Sequence, residues 1–213
     1  MNMTYLIKEI FYTLQGEGSH AGRPAVFCRF SRCNLWTGRE ADRSRAICQF
    51  CDTDFVGTDG EGGGRFRTAE DLADAVEAAW PSTDRAHRFV VCTGGEPLLQ
   101  LDEDAIAALH ARGFEVAVET NGTRPAPHGI DWLCVSPKIG SQLVLTSGDE
   151  LKLVYPQAGG DPAQFEGLDF QHLRLQPLDD ANREDHTRAA VEYCMKNPRW
   201  TLSLQTHKYL GIQ

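Results

Sequence analysis

Apolar runs alternate with polar, glycine- and proline-rich breaks along most of the chain, and the period of each run indicates its element. Tyr5–Tyr12 and Pro24–Phe30 (PAVFCRF) are rich in β-branched and aromatic residues and read as strands. Side chains alternate along a strand, so Cys28 and Arg29 must face opposite sides, one toward the core and the other toward a site. Thr68–Trp80 places Leu72, Ala75, Val76 and Ala79 on one helical face. Thr68 stands at its N-cap, acids fill its first turn, and Pro81 ends it. Beyond it the spacing predicts a strand at Arg88–Cys92, a helix at Asp102–Arg112 closed by Gly113, and a strand at Phe114–Glu119. Further strands follow at 131–135, 150–155 and 173–176, then a helix at 185–197 ended by Pro198 and a last strand at 200–204. Gly57–Gly64 reads as a flexible loop or hairpin tip, and Ala41–Ile47 as a helical turn or more.

The same polar signature closes most of these strands: Thr93-Gly94-Gly95-Glu96-Pro97, Thr120-Asn121-Gly122, Ser136-Pro137-Lys138, Gln176-Pro177 and Gln205-Thr206-His207-Lys208. Polar groups gathered at one end of parallel strands are the pattern of an α/β fold with its site at the carboxyl edge. Intervals after Gly122 are short for full crossover helices. The expected fold is therefore a partial, incomplete β/α barrel, mostly parallel, with a reduced helical layer. Residues 1–213 read as one domain, with an insertion at 34–47.

Length and charge narrow the function. A chain of 213 residues can bury roughly 70% of its unfolded surface. The net charge of −9 argues against a nucleic-acid footprint, which is basic. No apolar run reaches bilayer length, and MNMTYLIKEIFY lacks the plan of a secretion signal, so a cytoplasmic protein without a membrane partner is expected. In that compartment cysteines serve more often as ligands or small core residues than as disulfides. Cys28, Cys92, Cys134 and Cys194 fall in predicted strands or a helix and read as core packing.

Cys33, Cys48 and Cys51 differ, because they stand together in one loop with no obvious fourth ligand. A structural zinc site and an ordinary iron–sulfur cluster each take four ligands. Taken alone, the flanking motifs are ambiguous: Gly16-Glu17-Gly18 and Asn121-Gly122 are ordinary turn signals, and Asp52 and Thr53 suit a capped turn.

Taken together, FYTLQGEG, the three cysteines with CDTD, TGGEP, ETNG, VSPK, ELK, LQP and QTHKYL resemble the radical S-adenosyl-L-methionine (SAM) enzymes of the 7-carboxy-7-deazaguanine synthase family along nearly the whole chain. Cys48-Gln49-Phe50-Cys51 matches half of the superfamily signature. The fourteen residues between Cys33 and Cys48 depart from it and are similar to a variant within this family.

The resemblance implies a 4Fe-4S cluster on Cys33, Cys48 and Cys51 with one iron open to SAM. It implies SAM contacts from Phe50, Asp52, Gly94, Gly95, Glu96, Glu119, Asn121, Ser136, Pro137, Lys138, Gln176 and Pro177. It assigns the pterin substrate, 6-carboxy-5,6,7,8-tetrahydropterin, to Leu14, Gln15, Gly16, Glu17, Arg29, Thr93, His207 and Gln213, and Mg2+ to Thr53. The expected reaction is hydrogen abstraction at C6 by a 5′-deoxyadenosyl radical, ring contraction and loss of ammonia, feeding queuosine or another 7-deazapurine. A flavodoxin or ferredoxin as reductase and a homodimer are also implied. Two other readings stand beside this one: a small radical enzyme such as a glycyl-radical activase, and a non-catalytic zinc-binding module closed by a histidine.

Overall fold

A computed structural model of the protein describes residues 4–213. Strand β1 (Tyr5–Leu14) lies antiparallel to β2 (Pro24–Phe30) on one side and to the short β3 (Gly64–Phe66) on the other. From β2 onward every neighbour is parallel, through β4 (Phe89–Gly94), β5 (Glu115–Thr120), β6 (Trp132–Val135), β7 (Ser147–Tyr155), β8 (Asp169–Pro177) and β9 (Trp200–Leu202). The nine strands form one sheet ordered β3-β1-β2-β4-β5-β6-β7-β8-β9.

The sheet must be strongly curled. Seven strand spacings separate β1 from β9, about 34 Å if flat. Yet the loop leaving β1 touches the far end of the sheet: the Gly18 N–H donates to Ser203 Oγ at 2.9 Å and the Thr206 N–H to the Gly16 carbonyl at 2.8 Å. This is the partial barrel expected from the sequence.

Helices cover only part of the convex face. α1 (Ala69–Ala78) and α2 (Glu103–Ala111) pack Leu72, Val76, Ile106 and Leu109 against Ile10, Val26, Val90 and Val116. Their starts are held as the sequence indicates: Thr68 accepts from the Asp71 N–H and Asp102 from the Ala105 N–H, each at 3.0 Å. No α-helix links β5 to β6, β6 to β7 or β7 to β8, and only a 3-10 turn at Pro162–Phe165 lies in the last of these connections. α3 (Arg183–Lys196) then covers Leu173 and Trp200 in a separate core around Leu151, Leu153 and Leu175. At the amino end of the barrel, His20 packs against Phe89 and Trp132, and Trp132 stacks on His172, making an aromatic floor.

Several expectations need correction. Gly57–Gly64 is not a free loop: Gly60 N–H donates to the Lys8 carbonyl, Ile10 N–H donates to the Glu61 carbonyl, and the segment continues into β3. β8 begins at Asp169 rather than Leu173. The helical turn expected at Ala41–Ile47 is present, as a 3-10 helix with bounds Glu40–Arg45. Residues 206–210 form a short helix, α4 (Thr206–Leu210), where none was expected. Cys28 and Cys92 lie in the apolar core, but Cys134 faces the barrel interior, where its thiol donates to Glu150. Among the described residues no helix is long and apolar enough to cross a membrane.

Candidate active site

At the carboxyl edge of the parallel strands lies a cavity of about 480 Å³. Cys33, Cys48 and Cys51 line one corner. Arg32, just before Cys33, holds a left-handed φ of 76°, an uncommon setting for a residue with a side chain. Its carbonyl accepts the Glu96 N–H at 2.8 Å, which binds the cysteine loop to the end of β4. A methyl group at Gly95 would strike that same carbonyl, so this close approach requires glycine. The insertion packs back on the loop. Trp36 meets Phe55 edge-on, Arg43 lies over Trp36, and Arg43 Nη1 donates to the carbonyls of Gln49 and Cys51 at 2.9 and 3.0 Å. The extra residues therefore brace the Cys48–Cys51 turn.

The thiols are electrostatically unequal. A hydrogen bond from Cys48 favours the Cys51 thiolate and draws it down to about 6, while that bond and burial push Cys48 up. Burial also raises Cys33. Among the described residues no three His, Cys, Asp or Glu side chains are gathered tightly enough for a single metal ion. Three soft thiolates spread around one corner suit a polynuclear iron–sulfur group better than one ion.

Gly94, Gly95, Glu119, Asn121, Ser136, Lys138, Gln176 and Pro177, all at strand ends, line the middle of the cavity with Phe50 and Asp52. Lys138 donates to the Ser136 carbonyl and Oγ, each at 2.7 Å, and burial lowers its proton affinity. Glu96 and Pro137 do not line the cavity. Glu96 is fully buried, with Oε1 taking the Thr120 hydroxyl and the Leu98 N–H, and Oε2 the Asn121 N–H. Its carboxylate holds the walls rather than facing the cavity, because three protein donors occupy it.

The opposite half carries Leu14, Gln15, Gly16, Glu17, Arg29, Thr93, His207 and Gln213, with Thr53 at the cysteine side. Gln15 Nε2 donates to Glu119 Oε1 at 2.9 Å, and Gln15 Oε1 accepts the Glu17 N–H at 3.0 Å. Arg29 Nε donates to Glu9 at 2.7 Å. Beneath them Lys152 Nζ stands 2.5 Å from Glu17 and 3.1 Å from Glu119. Burial alone would raise Glu17, but Lys152, with help from Gln205, outweighs it and holds the carboxyl down at about 2. Lys152, Glu9, Lys8, Gln205 and Lys208 are lining residues to which the sequence assigned no ligand role, although Lys152 lies in the ELK motif and Gln205 and Lys208 in QTHKYL.

The C-terminal segment makes the last wall. Thr13 Oγ1 donates to the Gln213 carbonyl at 2.8 Å, and Lys208 reaches Asp52 and Asp179 at 2.7 and 2.5 Å. His207 packs so close to Gly16 that a methyl group there would collide with its ring.

The likeness to known proteins extends over this whole architecture. Residues 43–148 match the radical SAM superfamily, starting inside the insertion. The 7-carboxy-7-deazaguanine synthase of Caulobacter vibrioides is 65% identical, covering 99% of this chain and 100% of that one. The Bacteroides thetaiotaomicron synthase is 43% identical over 97% of this chain and 98% of its own. The crystal structure of QueE from Escherichia coli superposes with a TM-score of 0.67 at 27% identity, covering 96% of this chain and 95% of that one. With a full-length match at that identity, this chain belongs to the 7-carboxy-7-deazaguanine synthase family of radical SAM enzymes.

Proposed function

We propose that this chain converts 6-carboxy-5,6,7,8-tetrahydropterin to 7-carboxy-7-deazaguanine with loss of ammonia. The observation that carries the reading is that one cavity joins a three-cysteine corner to a charged, hydrogen-bonding half of a size suited to a bicyclic ligand. Cys33, Cys48 and Cys51 would hold a 4Fe-4S cluster. Reduced and bound with SAM, such a cluster would supply the radical chemistry for hydrogen abstraction at substrate C6. The backbone of Gly94 and Gly95, with Glu119, Asn121, Ser136, Lys138 and Gln176, supports SAM at the strand ends, and Phe50 offers the adenine an apolar face. Glu96 and Pro137 act from behind by shaping that wall.

On the substrate side, Gln15 and the backbone of Leu14 and Gly16 bond the pterin, and Glu17 keeps lone pairs for its N–H groups. Arg29 uses only Nε on Glu9, leaving its Nη groups for the substrate carboxylate. Thr93, His207 and the Gln213 terminus close the same pocket and exclude water. Thr53 offers a hard oxygen to Mg2+, which would orient the substrate carboxylate. A low-potential flavodoxin or ferredoxin supplies the electron.

Anaerobic turnover tests this. The reconstituted protein receives SAM, reductant, Mg2+ and the carboxypterin, and products are read by mass spectrometry. Formation of 7-carboxy-7-deazaguanine is expected. 5′-Deoxyadenosine without that product would reject the substrate, and neither product from a fully loaded, reducible cluster would reject the reaction.

A further inference from the structure

The barrel interior holds a charge arrangement that the roles above do not use. Lys152 points inward from the middle of β7, and its side chain is only 4% exposed. Its ammonium is shared between two carboxylates that lie 102 residues apart in sequence. Glu17 is on the loop leaving β1, on the pterin side. Glu119 is at the end of β5, on the SAM side. The rest of the ring is closed by neutral amides: Gln205 Nε2 donates to Glu17 Oε1 at 2.9 Å, and Gln15 Nε2 to Glu119 Oε1 at 2.9 Å. Every carboxylate oxygen in the ring therefore already has a protein donor.

Two partly buried carboxylates facing one cavity repel each other, and Lys152 supplies the countercharge between them. A lysine whose only task was to neutralise the interior needs no link to both halves of the site. Lys152 has that link. We propose that Lys152 is a positioning residue that couples the pterin-binding and SAM-binding halves of the cavity, fixing Glu17 and Glu119 relative to each other so that hydrogen abstraction proceeds only with both ligands in register. This rests on the pterin reading above. It assigns the lysine no contact with the reacting atoms.

The test compares wild type with Lys152→Met and Lys152→Arg. Pterin binding to the cluster-free protein is measured by calorimetry, and the reconstituted enzymes are assayed for the ratio of 5′-deoxyadenosine to deazapurine product. In Lys152→Met, loss of the countercharge is expected to weaken pterin binding about tenfold or more. Misplacement of the two carboxylates is expected to slow product formation about 100-fold. The decisive signature is a rise in 5′-deoxyadenosine released per product, which a shortage of folded protein would not produce. Lys152→Arg keeps the charge and so carries the test if the Met variant does not fold. Its longer, planar head should spread the two carboxylates and raise the same ratio. An unchanged ratio and unchanged pterin affinity in the folded variants would overturn the proposal. Wild-type enzyme that makes no deazapurine would instead overturn the substrate reading on which it rests.

Discussion

The carboxylate of Glu96 accepts the backbone N–H of Asn121 at 2.8 Å, so one side chain just beyond β4 holds the backbone just beyond β5. The second oxygen takes Thr120 and Leu98, all within a fully buried environment. Glu96→Ala strands three buried donors, and each costs about 1–3 kcal/mol. Urea unfolding of the cluster-free protein should show a loss of about 3 kcal/mol or more. A loss below about 1 kcal/mol would mean that water replaces the carboxylate, and the structural role would fall.

Gly16→Ala places a methyl group against the His207 ring and threatens the paired bonds from Thr206 N–H and Oγ1 to the Gly16 carbonyl. Overpacking of this kind costs about 1–3 kcal/mol. The expected result is a raised KM for the pterin with iron and sulfide content unchanged, since the cysteines lie at the other corner. A normal KM would show that α4 does not need to seat on Gly16.

Glu17 should leave a pH signature in stability. Its folded value is about 2 against an ordinary 4.5, so folding favours the ionised form. The stabilisation is fully present above about 4.5 and is lost as pH falls from 4.5 toward 2. Thermal unfolding of wild type and Glu17→Gln should differ most near neutrality and converge as pH drops through that window. A difference that stays constant down to the lower end would mean Lys152 does not hold Glu17 ionised.

Thr53 lines the cavity beside Asp52, with Oγ1 3.5 Å from Asp52 Oδ1. If its hydroxyl is a Mg2+ ligand, Thr53→Val should raise the Mg2+ concentration for half-maximal turnover about tenfold or more, with the iron–sulfur absorption unchanged. An identical Mg2+ titration would remove Thr53 from the ion's shell.

Strand periodicity made the parallel sheet, its carboxyl-edge site and the thin helical layer legible, because apolar runs ending in TGGEP, ETNG and SPK mark strand ends directly. What stayed hidden has a common physical cause. ELKLVY shows which residues share a face but not that the polar face turns inward: in a curled sheet both faces are covered, so Glu150 and Lys152 are the buried side of a pattern that usually points to water. Polar residues at alternate positions in the neighbouring β8, His172, Arg174 and Gln176, were the available signal. β3 escaped because a strand of three residues has no period to detect, and α4 because five residues are too few for an apolar stripe. Glu96 was read as facing the ligand since its motif does; only the fold shows three donors behind it.

Among the described residues the two outer cores share one partly buried side chain, Leu133, and β6 pairs in register with β7 through Cys134 with Glu150 and Val135 with Leu151. This makes β6 a seam. The core under α1 and α2 lies on one side of it and the core under α3 on the other. Ser136 and Lys138 follow directly on β6, so this line runs into the wall of the cavity. The missing α-helices between β5 and β8 thus leave the middle of the barrel without an outer layer, while α1 and α2 back the glycine wall and α3 backs the far side.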